Sequence, residues 1–279
     1  MRRHGLKPLA LAALAALLAT LLAACQTPPP TSPEAVGELR KGTGFLKGYV
    51  ERKQLPDSLA LLPPPPTAGS AQQAADLDTF KRTRALVDTP RWAQATRDAN
   101  LKFPAAASAF ECALQVPISA EGTPNLNMLL RRTLTDAGLA TYGAKDKYQR
   151  QRPFVVAGGP TCTPAEEASL AKDGSYPSGH TAIGWAWALV LVQAAPQRTD
   201  ALLQRGVAFG QSRVICGVHW QSDVEAGRVI GAAAVARLQS DDGFKAQLAL
   251  ARDEIAQARA AGLKPTTDCA AEAAALAVH

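Results

Sequence analysis

From Ser70 to Ala261 the apolar residues recur at helical spacing in one segment after another, and no stretch alternates apolar with polar residues over the length of a strand. That pattern excludes a fold built on a sheet. Aromatic residues make up only 5% of the chain and alanine is abundant, which also favours helix over strand. The spacing predicts helices over 71–87, over 90–101 with Pro90 in a first turn, and over 124–150 as one helix or two carrying Leu126, Leu130, Leu134 and Ala137. Further helices are predicted over 178–194, 200–212, 220–239 and 241–261. The 178–194 run is too short and too interrupted to span a bilayer and reads as a buried central helix. The expected fold class is all-α, a single multi-helix bundle domain over 41–265 with a C-terminal tail over 266–279. At 279 residues there is length enough to bury a full core.

Residues 1–24 have the makeup of an export signal: Arg2, Arg3 and Lys7, then an apolar run from Leu9 to Ala24. Leu22-Ala23-Ala24-Cys25 resembles the bacterial lipobox, so Cys25 is expected to be acylated and to become the new N-terminus. Gln26, rather than Asp, follows it, which favours an outer-membrane lipoprotein facing the periplasm. The membrane would then be reached through acyl chains and not through a spanning helix, with 25–40 as a Pro- and Thr-rich tether. Mean hydropathy of −0.06 excludes a multi-span protein. Removing the three bases of the leader leaves 27 basic against 24 acidic residues, which gives no argument for nucleic acid as a partner. Leu61 and Leu62 open a second proline run, through Pro66, that reads as an extended segment laid on the domain.

Four cysteines remain beyond the lipobox: Cys112, Cys162, Cys216 and Cys269. An even count in an exported chain points to two disulfides, with three pairings open. None stands in a CxxC or Cx5R pattern, so zinc ribbons and cysteine-nucleophile phosphatases find no support. Three histidines follow the leader, His180, His219 and His279, too few for a metal site built from several imidazoles. No Gly-x-Ser-x-Gly occurs. Arg3-His4-Gly5 lies in the leader and is a decoy, and Asp76-Leu77-Asp78 falls in a helical pattern and reads as a solvated face.

Around the two internal histidines the sequence is dense in chemistry. Lys145 is followed at the spacing Lys-x6-Arg-Pro by Arg152 and Pro153. Pro177-Ser178-Gly179-His180 comes next, then Ser212-Arg213, His219 and Asp223 in the spacing Ser-Arg-x5-His-x3-Asp. Two helical turns would put Lys145 and Arg152 on one face, and Pro153 would end the helix there; Lys147 and Arg150 read as a solvated basic face. Ser178 and Gly179 stand where a helix begins, with free N–H groups suited to an anion. Arg213 offers a planar fork for phosphoryl oxygens. Asp223, one turn after His219, can accept its Nδ1–H and leave Nε2 as a nucleophile; His180 has no acid within four residues, only Asp173 seven before it.

These three blocks, in this order, resemble the type 2 phosphatidic acid phosphatase superfamily, which includes the vanadium haloperoxidases. The flanking text, Leu61 to Pro66, Gly174 to Thr181 and Gly210 to Gly217, is similar to the bacterial class A non-specific acid phosphatases, and the resemblance runs over roughly residues 55–260. It implies a metal-independent, cofactor-free acid phosphatase acting on nucleotides, sugar phosphates and aryl phosphates, with phosphoryl transfer to alcohols and assembly into dimers or larger homo-oligomers. It implies that His219 attacks phosphorus, that His180 protonates the leaving oxygen, and that Lys145, Arg152, Ser178, Gly179 and Arg213 bind the phosphoryl group. Cys162 and Cys216 lie in the segments most like that family and are expected to pair; Cys112 and Cys269 lie where the chain departs from it and are expected to form an added staple. Three alternatives remain open to the same residues: a vanadate-dependent haloperoxidase, a lipid or diphosphate phosphatase, and a catalytically silent envelope lipoprotein.

Overall fold

The computed structural model describes residues 27–278, so the leader, the lipobox with Cys25, and His279 lie outside the described residues. Nine helices of seven residues or more make up the described part: α1 Ala71–Thr83, α2 Pro90–Ala99, α3 Pro124–Leu139, α4 Tyr142–Tyr148, α5 Gly179–Ala194, α6 Thr199–Ile215, α7 Gln221–Leu238, α8 Asp242–Ala260 and α9 Cys269–Leu276. Their starts follow local chemistry. Ser70, Thr89, Ser178, Asp241 and Asp268 each cap a free N–H of the first turn, and Pro90 and Pro124 open α2 and α3. Among the described residues there is no strand, only an isolated bridge between Glu38 and Leu46, and the all-α fold class holds. No described helix is long and apolar enough to cross a membrane.

The run 178–194 is the central helix. α5 is apolar on all sides and is covered by α6, α7, α3 and α8. Trp187 is fully buried at its middle, donating Nε1–H to the Leu130 carbonyl at 2.9 Å and meeting Phe110 and Phe209 edge to face. Small residues bring α7 against α5: a Cβ on Gly227 would stand 2.6 Å from the Ser178 carbonyl oxygen.

The segment read as a tether is folded from Pro33 onward. Pro33–Val36 forms a helical turn, and Glu38 pairs with Leu46, which is buried. Tyr49 and Val50 then donate their backbone N–H groups to Asp136 on α3, and Gly48 passes so close to that carboxylate that a Cβ would collide with it. The proline run does lie on the domain: Leu62 is buried and the Pro63 carbonyl accepts the Tyr176 hydroxyl at 2.9 Å, while Leu61 points outward.

The tail read over 266–279 also has structure, since α9 occupies most of it. A Cys112–Cys269 disulfide holds its start, Thr266 donates from N and Oγ1 to Glu111, and Glu272 reaches Arg205 at 3.5 Å. Cys162 and Cys216 form the second disulfide, so both expected pairs are present.

Candidate active site

The three sequence blocks meet at the N-terminal ends of α5 and α7 and the C-terminal end of α6. Lys145 is not joined to Arg152 by a continuous helix. α4 ends at Tyr148, Gln149 takes a left-handed conformation with φ 43°, and Arg152 is extended ahead of Pro153. The reversal at Gln149 still brings both cations inward. Lys145 Nζ donates to the Gly174 carbonyl and pairs with Asp173 at 3.4 Å; Arg152 pairs with the same Asp173 oxygen at 2.9 Å. Burial and the nearby Arg152 lower the Lys145 ammonium to about 8. Asp173 thus serves two phosphate-binding candidates, a role its sequence position does not reveal.

Ser178 caps α5 with its hydroxyl, leaving Gly179 and His180 in the first turn, where backbone N–H groups are free and the helix dipole favours negative charge. A Cβ on Gly179 would lie 3.8 Å from Lys145 Cε, so this helix end faces the Lys145 ammonium stem. His180 is half-buried and its Nε2 lies 3.0 Å from the Ala99 carbonyl. A backbone carbonyl, not a carboxylate, orients this ring and commits the proton to Nε2. Beside it a cavity of about 430 Å³ opens between Phe45, Asn100, Leu101, Lys102, Thr163 and Glu166. A roomier groove of about 1000 Å³ runs between α6 and α9, and none of the motif residues named above lines it.

Arg213 lies in the last turn of α6, so that helix runs three residues past the expected end. The side chain is fully buried, yet among the described residues Nε, Nη1 and Nη2 all lack a hydrogen-bond partner. Burial and Arg152 lower its guanidinium to about 10. Its neighbour Ser212 points the other way, donating to Asp98 at 2.6 Å and accepting from Arg91, which fastens α6 to α2.

His219 precedes α7, and Asp223 sits in that helix's first turn. His219 Nδ1 lies 3.3 Å from Asp223 Oδ2, which also accepts the Trp220 backbone N–H at 2.9 Å. Arg152 Nη1 donates to His219 Nε2 at 3.0 Å, so the imidazole carries its proton on Nδ1 and its lone pair on Nε2. Burial, then Arg152, Lys145 and Arg213, hold the imidazolium form well below its usual range; His180 is depressed likewise, by burial and then Arg213.

Two expectations are corrected here. Arg150 is not part of a solvated basic face: its side chain is buried and pairs with both Asp223 and Asp76. Asp76 is likewise buried, whereas Asp78, two residues on, is exposed and pairs with Arg82. Burial raises the Asp223 carboxyl while Arg150 opposes that shift.

The candidate site residues of the three blocks therefore converge on one place: an imidazole with its lone pair on Nε2, a second imidazole, three buried cations and a helix N-terminus. Among the described residues no group of three or more His, Cys, Asp or Glu side chains is arranged to hold a metal ion. A profile of the PAP2 superfamily matches residues 126–241. The chain is 49% identical over 210 residues to a non-specific acid phosphatase of Providencia stuartii, covering 75% of this chain and 85% of the relative. It is 42% identical over 209 residues to an acid phosphatase of Zymomonas mobilis (75% and 79% covered), and 45% identical over 195 residues to a non-specific acid phosphatase of Salmonella typhimurium (70% and 78% covered).

Proposed function

The chain belongs to the PAP2 superfamily and, within it, to the non-specific acid phosphatases, and on that footing we propose that it hydrolyses a broad range of phosphate monoesters, without a metal, through a phosphohistidine on His219. One observation carries the reading: Arg213 is fully buried with three unpartnered guanidinium nitrogens, directly before the segment that returns to His219. A buried, unpaired guanidinium is costly, and an anion with several oxygens is the partner that offsets it.

In the first step the Nε2 lone pair of His219 forms a bond to phosphorus and the bond to the ester oxygen breaks. The Arg152 N–H now on Nε2 turns to a phosphoryl oxygen, beside Lys145, Arg213 and the amides at the start of α5. His180 passes a proton to the leaving alkoxide. The negative phosphoryl group offsets the cations that depress His180, raising its pKa in the complex so that it can serve as an acid. In the second step water loses a proton to His180 and attacks phosphorus, the P–N bond breaks, and inorganic phosphate leaves. The cavity beside His180, of mixed polar and apolar lining, has room for varied alcohol groups, in keeping with nucleotides, sugar phosphates and aryl phosphates as substrates.

The test is hydrolysis of p-nitrophenyl phosphate with and without EDTA and with vanadate, followed by acid-quench trapping of a labelled phosphoryl group and peptide mapping. Turnover indifferent to EDTA, inhibition by vanadate and a label on the His219 peptide are expected. A label on His180, an undiminished label in His219→Ala, or peroxidase activity induced by vanadate would overturn the reading. We also propose that the mature chain is held on the cell envelope by acylated Cys25. Loss of membrane association and of incorporated labelled fatty acid in Cys25→Ser is the expected result.

A further inference from the structure

Behind His219, away from the phosphate-binding cations, lies a buried charge relay that the three sequence blocks do not contain. Arg150 Nη1 donates to Asp223 Oδ1 at 2.6 Å and to Ser222 Oγ at 2.7 Å. Its Nη2 donates to Asp76 Oδ2 at 2.8 Å and to Gln73 Oε1 at 2.6 Å, both on α1. Asp76 Oδ1 accepts the Ser222 backbone N–H at 2.9 Å, and the Arg150 guanidinium lies over the Trp220 ring, 5.4 Å from its centroid. Asp76, Arg150 and Asp223 are 3%, 8% and 0% exposed at the side chain, so little solvent screens their charges.

The two oxygens of Asp223 face opposite ways. Oδ2 meets His219 and the Trp220 amide, while Oδ1 is taken by Arg150. A lone guanidinium on Oδ1 would draw negative charge away from the histidine and weaken the support Asp223 gives an imidazolium. Asp76 offsets that pull by pairing with the far side of the same guanidinium. His219 is otherwise faced by Lys145, Arg152 and Arg213, all cationic, by His180, and by Asp173 only through Lys145 and Arg152. Asp223 is therefore the sole carboxylate in contact with the ring among the described residues, and its effective charge works against the burial and the three cations that lower the ring's basicity.

We propose that Arg150 and Asp76 are positioning residues that aim Asp223 at His219 and set the basicity of the nucleophile through it. The proposal rests on His219 being the nucleophile. Neither residue touches substrate, so their removal should act on kcat with KM nearly unchanged.

The experiment compares Asp76→Asn, Arg150→Met and Arg150→Lys with the wild-type protein, following kcat, KM and the acidic limb of kcat/KM against pH with p-nitrophenyl phosphate, and thermal midpoints alongside. In Asp76→Asn the uncompensated guanidinium should lower His219 and move the acidic limb down by about half to one pH unit. In Arg150→Met the freed, buried Asp223 should move it up by a similar amount, either by making His219 more basic or by taking up a proton itself. Each variant should lose about tenfold in kcat. Arg150→Lys, which keeps the charge, should restore the wild-type limb with only part of the rate. Where Arg150→Met does not fold, the isosteric Asp76→Asn carries the test. Limbs that stay in place, or that move in the same direction in Asp76→Asn and Arg150→Met, would mark a merely structural network and overturn the proposal. A wild-type label that maps elsewhere than His219 would instead overturn the nucleophile assignment, which keeps the two failures distinct.

Discussion

The backbone amide of Ser178 donates to the carbonyl of Asp223 at 2.9 Å. Through this one bond the first turn of α5, which carries His180 and the amides proposed to face the phosphoryl group, is registered against the first turn of α7, which carries the partner of His219. The register depends on close approach, because Gly227 leaves no gap between α7 and the Ser178 carbonyl. Gly227→Ala is expected to push the two helix ends apart, lowering stability by roughly 1–3 kcal/mol. It should also reduce kcat about tenfold or more, because small displacements of reacting groups are costly. Thermal unfolding and steady-state kinetics on one preparation check both effects.

Arg213 should behave in the opposite way towards stability. Its buried guanidinium has no hydrogen-bond partner among the described residues, so Arg213→Met removes an uncompensated charge while keeping an apolar stem. The variant is expected to melt at or above the wild-type temperature and to lose roughly 100- to 1,000-fold in kcat/KM, the scale of losing one oxyanion donor. Inorganic phosphate should raise the melting temperature of the wild type and fail to raise that of the variant.

His180 is assigned to the leaving group, so the cost of removing it should depend on that group. In His180→Ala the loss should reach roughly 100- to 10,000-fold for a glycerol or sugar phosphate. It should be much smaller for p-nitrophenyl phosphate, whose anion leaves without a proton. A plot of rate against leaving-group pKa checks this; equal losses across the series would remove His180 from the acid role.

The activity profile should be bell-shaped and displaced towards acid. As the proposed nucleophile His219 acts as the neutral ring, and because its pKa is depressed it stays neutral at pH values where an ordinary histidine is largely protonated. Activity should therefore persist below the usual histidine range. On the alkaline side kcat/KM should fall first as His180 loses the proton it donates, and fall further as pH rises through about 8, where Lys145 loses its charge. Lys145→Arg keeps that charge and should move this second fall upward at a reduced rate; a wild-type rate still climbing above this range would contradict the assignment.

Asp136 anchors the N-terminal segment, and burial raises its carboxyl to about 7 from an ordinary 3.8. The folded chain thus keeps a proton that the unfolded chain releases across that interval, so this group's contribution to stability declines as pH rises from about 4 to about 7. Asp136→Asn is expected to match the wild type near pH 4 and to exceed it by roughly 1–3 kcal/mol at pH 8. Urea unfolding at the two pH values measures the difference.

The helices of the bundle and the clustering of the candidate site residues were legible because each rests on a local signal: apolar spacing for α3 and α5, a Ser cap and glycine for the start of α5, the one-turn interval from His219 to Asp223. What escaped depends on chain geometry between segments. Asp76 and Asp78 are two apart on a helix, nearly opposite faces, so one is buried and the other is not, and no composition distinguishes them. Arg150 turns inward because Gln149 reverses the backbone, a conformation that glutamine rarely announces. The Ala99 carbonyl that orients His180 is a backbone atom and leaves no trace in side-chain identity. α9 was missed because an alanine-rich run has no apolar stripe; its place is fixed by a cross-link and by Glu272.

The two disulfides are nested, with 162–216 lying inside 112–269. Every residue assigned to the chemistry, from Lys145 to Asp223, falls within the outer covalent ring, while Asp76 stands before it. A protease that cuts a surface loop once between Cys112 and Cys269 opens the ring but frees no piece of it. The nucleophile, the acid and the cations would stay tethered to one another, and a second cut would be needed before any of them could diffuse away.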